Sequence, residues 1–134
     1  ITGVQLEKGP VATPFDWRPQ GTELQLCQRY YYRVSANSSV TTFAIGYGVS
    51  STTCSGVTSF PVTMRVAPSA LEQSGTASDY YVSSTASSSV PTFTDAGINQ
   101  TMTTFTVASG LTVSNAYRMR TNTTNGYLGW SAEL

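Results

Sequence analysis

Apolar and polar residues alternate along much of this chain, and the alternation places most of its elements. Phe43, Ile45, Tyr47 and Val49 interleave with Thr42, Ala44, Gly46 and Gly48, which predicts a strand with the larger side chains inward. Two glycines on its other face invite a bulge or a close approach of backbones. Phe60, Val62, Met64 and Val66 form a second inward row, with Thr63, Arg65 and Ala67 outward and Pro61 and Pro68 at the ends. Residues 79–82 (DYYV) read as a short strand, residues 83–89 (SSTASSS) as a solvated loop or polar edge strand, and residues 98–107 as a strand grouping Thr103, Phe105 and Val107. Tyr117, Met119 and Thr121 then alternate with Arg118 and Arg120. The run Thr124-Asn125-Gly126 predicts a type I′ hairpin turn, leading into a last strand with Leu128, Trp130, Ala132 and Leu134 on one face.

Before these strands, residues 12–33 (ATPFDWRPQGTELQLCQRYYYR) have two halves. Pro14 and Pro19 fix their own φ and push the preceding residues extended, making a stiff arm around Phe15 and Trp17. Thr22 then offers a helix N-cap with Gln25 three residues on, so a short helix over residues 22–28 is expected to carry Leu24 and Cys27 inward. Arg29 to Val34 follows as a strand, with Tyr30, Tyr32 and Val34 on the core face and Arg29, Tyr31 and Arg33 on the other. Together these elements predict an all-β chain: an antiparallel β-sandwich, jelly-roll-like, with one short helix. Residues 1–21 read as a connecting arm and residues 22–134 as a single domain, a size that hides roughly two-thirds of its unfolded surface.

Composition narrows the function classes. Seven basic and seven acidic side chains leave a net charge of zero, so no electrostatic footprint for nucleic acid or an anionic membrane exists. No apolar run approaches the ~20 residues of a membrane-spanning helix, and Ile1 opens without a signal-peptide pattern. The 18 Ser and 21 Thr suit strands and turns. No His is present, which removes the Ser-His-Asp and Cys-His arrangements and most zinc sites. The carboxylates Glu7, Glu23, Glu72, Glu133, Asp16, Asp79 and Asp95 form no pair motif of the glycosidase kind, and Glu23 and Asp16 are assigned structural roles beside Arg18 or Arg29. No enzyme activity, cofactor or metal is expected. Cys27, on the inward side of the helix, reads as a buried thiol, and Cys54, in a polar run, as a loop residue. The three sequons at Asn37, Asn99 and Asn122 are what a hydroxyl-rich chain yields by chance.

The aromatic residues remain as candidates for binding. Tyr30, Tyr32 and Tyr47 fall on core faces, whereas Trp17, Tyr31, Tyr81 and Tyr127 are candidates for saccharide contact, ring faces stacking on sugars while hydroxyls bond to theirs.

Residues 3–33 (GVQLEKGPVATPFDWRPQGTELQLCQRYYYR) resemble a segment of the C-terminal regions of tailed-bacteriophage tail fibre and tail spike proteins, QLE-x-G-x-x-ATPFE-x-R followed by EL-x-x-CQRYY. Residues 60–68 (FPVTMRVAP) resemble that family's FPV-x-MR-x-x-P strand, and the chain ends in Ala-Glu-Leu as many of its members do. Asp16 stands where Glu is commoner, and residues 69–114 match only in character. The resemblance implies a homotrimer that attaches to host-surface polysaccharide or lipopolysaccharide without cleaving it, or else a trimerisation cap with no ligand of its own. It implies that residues 1–10 join a preceding domain, that the protein belongs to the virion tail, and that it assembles in a reducing bacterial cytoplasm where Cys27 and Cys54 stay unbridged. In such a trimer Phe15, Trp17 and Tyr31 gain somewhere to bury, and Arg29, Arg33 and Arg65 can pair with carboxylates across subunits.

Overall fold

The structure, a computed structural model, describes residues 8–11, 13–14 and 17–132. The expectations for Phe15, for Leu134 and for residues 1–7 lie outside the described residues. Ten strands follow one helix: α1 (Gln20–Gln28), then β1 (Tyr31–Ser35), β2 (Thr42–Gly48), β3 (Thr53–Ser59), β4 (Ala70–Gln73), β5 (Tyr80–Val82), β6 (Thr85–Ala86), β7 (Thr92–Thr94), β8 (Gln100–Thr106), β9 (Ala116–Thr121) and β10 (Tyr127–Ser131). They form two antiparallel sheets, a small one in the order β1-β10-β4 and a large one in the order β6-β5-β9-β2-β3-β8-β7. The result is the expected antiparallel sandwich, with one short α-helix and a single 3-10 turn at Ala77–Asp79 among the described residues.

The two sheets meet over two aromatic groups. Tyr32, Phe60 and Trp130 pack under the small sheet with ring centroids 5.7–6.0 Å apart. Phe43, Tyr80 and Phe105 pack under the large one. Tyr80 also ties the layers together, because its hydroxyl donates to the Tyr127 carbonyl at 2.7 Å and accepts the Ser74 amide at 3.0 Å. Burying a ring that still satisfies its hydroxyl keeps the apolar gain without the cost of an orphaned polar atom.

Several expectations are corrected, each for an identifiable reason. In β2 the register against β9 shifts between Thr42 and Ala44, a bulge that turns both Phe43 and Ala44 inward. A one-residue slip reverses every later side chain, so Ile45, Tyr47 and Val49 face solvent while Gly46 and Gly48 take the interior. The glycines do permit close approach: a Cβ on Gly46 would strike the Ser55 carbonyl of β3. β3 itself reads as polar in sequence, yet its inward residues Cys54, Gly56 and Thr58 are buried, small side chains that leave room for Met119.

Residues 60–68 form no strand. Pro61 and Pro68 break any ladder, and the segment instead carries the chain from the large sheet to the small one. Its amides are satisfied singly, Met64 N–H by the Ile98 carbonyl (2.8 Å) and Arg65 N–H by the Arg29 carbonyl (2.7 Å). The Asn125-Gly126 turn closes no hairpin either. β9 and β10 belong to different sheets, and neither residue has the positive φ that a type I′ turn demands. What holds the crossing is buried Asp79, whose carboxylate accepts from Thr123 Oγ1 at 2.6 Å and whose carbonyl accepts from the Asn122 amide at 2.8 Å.

The helix also departs from its expected capping. Pro19, not Thr22, occupies the N-cap, with no side-chain cap, and none of the helix residues is buried. Leu24 and Cys27 are therefore exposed, and the thiols exchange their expected roles: Cys27 lies in solvent and Cys54 in the core, both free. The strand after α1 starts at Tyr31 rather than Arg29, which leaves Tyr30 exposed beside the helix end.

Candidate functional site

β10 runs down the middle of the small sheet, so its alternation sorts everything around it. Leu128 and Trp130 point into the core with Tyr32, Val34 and Leu71. Tyr127, Gly129 and Ser131 therefore share the opposite, solvent face with Tyr31 and Arg33 of β1 and Glu72 of β4. The register sets Gly129 between Arg33 on one side and Glu72 on the other.

Gly129 has no side chain, and Tyr31 occupies the space. Its ring crosses the centre of the sheet and its hydroxyl donates to Glu72 Oε2 at 2.8 Å. A Cβ at position 129 would strike that hydroxyl, so glycine is what lets Tyr31 lie down. Burial under its neighbours, then the hydrogen bond and negative charge of Glu72, push the Tyr31 phenol above its ordinary pKa, with Arg33 acting in the opposite direction. The phenol thus stays a donor through any physiological pH. Arg33 leans the other way: its guanidinium carbon sits 3.8 Å from the Tyr127 ring centroid and its Nε donates to Ser35 Oγ at 2.9 Å. One patch of rigid sheet thereby presents a phenol, a carboxylate and a stacked guanidinium.

Of the residues expected to bind sugar, Tyr31 and Tyr127 come together here, joined by Arg33. Tyr81 does not. It lies on β5 of the large sheet, its ring 4.9 Å from the guanidinium carbon of Arg120, which itself donates to the Ser83 and Thr121 carbonyls at 2.8 Å. Trp17 stands 86% exposed in the arm before α1. Arg29 and Arg65 meet at the helix-to-strand junction through their backbones, and the Arg65 guanidinium lies 5.6 Å from the Tyr30 ring. Arg18 pairs with Glu23 at 3.4 Å, the structural role expected of that carboxylate. Glu72 and Gly129 belong to this candidate face, and pattern reading missed both. β4 is too short and polar to announce itself, and Gly129 becomes informative only once Tyr31 is seen across it.

Among the described residues no group of three or more His, Cys, Asp or Glu side chains could hold a metal ion, and no helix is long and apolar enough to cross a membrane. No protein-family model, curated protein or solved structure matches this chain.

Proposed function

We propose that this chain is the C-terminal domain of a tailed-bacteriophage tail fibre or tail spike, that it forms a homotrimer, and that it attaches to host-surface polysaccharide or lipopolysaccharide without cleaving it. The observation that carries the attachment reading is the patch of Tyr31, Arg33, Glu72 and Tyr127 around Gly129. An aromatic face, a fixed acceptor and a planar donor within one side chain's reach make the combination that holds a sugar ring and its neighbouring hydroxyls. The residues sit on paired strands rather than on a loop, so little ordering entropy is lost on binding. The phage context rests on the resemblance of residues 3–33 and 60–68.

A binding screen of the 134-residue chain against purified host polysaccharides and lipopolysaccharides tests this reading. Reproducible binding that is lost in Arg33→Ala and Tyr127→Ala supports it. Silence across the panel, or binding indifferent to both substitutions, removes the patch from consideration. A trimerisation cap without a ligand of its own is the second reading, and one observation favours it: no residue of α1 is buried, and the described arm residues before it are exposed. Both readings are trimeric, so the glycan screen distinguishes them, silence across the panel favouring the cap, while light scattering tests the trimer that both require.

A further inference from the structure

The crossing from β9 to β10 carries an Asn-Gly pair that closes no hairpin, and the packing shows what the glycine does there instead. A Cβ on Gly126 would lie 3.0 Å from Thr121 Cγ2 and 3.3 Å from the Asp79 carbonyl oxygen, so the interior favours a residue without one. That bareness also removes the obstacle to one reaction of the preceding side chain. An asparagine carboxamide closes on the next backbone nitrogen most readily when that nitrogen belongs to glycine, which lets atoms approach closely.

Two further conditions are met at this pair. The Ala36 amide donates to the Gly126 carbonyl at 2.9 Å, but among the described residues the Gly126 N–H itself meets no acceptor, an unusual state for a buried backbone donor. Asn125 is exposed, and its one hydrogen bond among the described residues is made by its backbone, whose N–H donates to Thr123 Oγ1 at 3.2 Å. Its carboxamide is therefore unheld. The other four asparagines differ. Asn37 Oδ1 accepts from Thr41 Oγ1 at 2.7 Å, Asn99 Oδ1 accepts from Thr63 Oγ1 at 2.9 Å, and Asn122 Nδ2 donates to the Ser78 carbonyl at 3.4 Å. Asn115 is followed by alanine.

We propose that Asn125 modifies itself in the folded protein, becoming aspartyl and isoaspartyl through a succinimide with Gly126, and that the isoaspartyl form loosens the entry to β10. The Gly126 nitrogen gives its proton to hydroxide and bonds to the side-chain carbonyl carbon of Asn125, and the side-chain nitrogen leaves as ammonia. Water then opens the ring. Addition at the side-chain carbonyl restores the ordinary backbone beside a new carboxylate, whereas addition at the main-chain carbonyl routes the backbone through Cβ. The second product lengthens the path from Thr123 to Gly126 by a carbon, and both ends of that path are tied. Thr123 Oγ1 donates to buried Asp79 Oδ1 at 2.6 Å, and Gly126 is held by Ala36 immediately before Tyr127 pairs with Ser35.

The full chain is incubated folded in warm, mildly alkaline buffer, beside a second sample in urea. Peptide mapping with fragmentation is expected to place the mass gain of an NH2-to-OH exchange at Asn125 in both, at rates within about tenfold of each other. Asn37, Asn99 and Asn122 should stay unmodified in the folded sample, and an Asn125→Ser chain should keep its mass there. A folded sample unchanged at Asn125 overturns the site, whatever the urea sample shows. Aged protein is also expected to melt a few degrees below fresh protein, while Asn125→Asp, which has the ordinary backbone, melts with the wild type. Aged protein that melts with the fresh, or an Asn125→Asp chain that melts as low as the aged, overturns the loosening and leaves the site standing.

Discussion

Thr58 and Thr103 share a hydrogen bond of 2.9 Å between hydroxyls inside the large sheet, and each is buried. Among the described residues no other side chain bonds to either one, so removing a single hydroxyl strands its mate. Thr103→Val should cost about 1–3 kcal/mol, the penalty of leaving one hydroxyl desolvated and unpaired, and Thr58→Val the same from the other side. The double variant replaces both hydroxyls by methyls of the same shape in a strand that tolerates valine, and is expected within about 0.5 kcal/mol of wild type. The coupling between the two sites, the two single costs added together less that of the double, should therefore be about 1.5 kcal/mol or more, well above the scatter of independent sites. Urea unfolding followed by the fluorescence of buried Trp130 reads it directly. In a thermal scan, each single variant should melt several degrees below the double. If the double variant loses the sum of the two singles, the hydroxyls do not satisfy each other and the reasoning about this interior is wrong.

Other expectations follow from the thiols and the glycines. At neutral pH one thiol, Cys27, should react at once with a disulfide reagent while Cys54 waits for unfolding. Burial pushes the Cys54 thiol up from its ordinary value of 9.0 to about 11. The folded state then holds a proton that the unfolded chain releases, so this contribution to stability is intact below pH 9 and is lost as pH rises toward 11; Cys54→Ala should flatten that decline, and an equal decline in the variant would rule out Cys54 as its source. Gly46→Ala drives a methyl into the Ser55 carbonyl between two paired backbones and should cost about 3 kcal/mol or more; a stable, wild-type-like variant would contradict the close approach. Gly129→Ala should lift Tyr31 off the sheet and away from Glu72, returning its phenol toward the ordinary range in an ultraviolet titration while costing under about 1 kcal/mol, since that bond is exposed.

How much was legible depends on how each residue meets its neighbours. β8, β9 and β10 were readable because one face is buried and the other wet, which leaves clean alternation at Thr103, Phe105 and Val107, at Met119 and Thr121, and at Leu128 and Trp130. β2 misled because a bulge is a tertiary event: nothing in the alternation at Phe43 announces that the next residue also turns inward. β3 stayed hidden because its interior is narrow and wants Cys54, Gly56 and Thr58, residues that look like a loop. Asn125-Gly126 carried a strong local signal that long-range pairing overrode, β10 being claimed by β1 and β4. At the candidate site, Tyr31 and Tyr127 were picked out for sugar contact and Arg33 only for a subunit interface, and their meeting over Gly129 is a fact of register between strands far apart in the chain.

β10 is the partner of both other strands in its sheet, yet it follows them in the chain. During synthesis, β1 leaves the ribosome and then waits for Tyr127 to Ser131 to be made, about 5 to 20 s at ordinary elongation rates. For that interval Tyr32 and Val34 have no sheet to enter, and the half-made layer is a sticky ribbon beside other nascent chains of the same message. Neighbouring ribosomes on one transcript thus hold copies of this protein in the same unfinished state, close enough for their first contacts to be made before any of them is released.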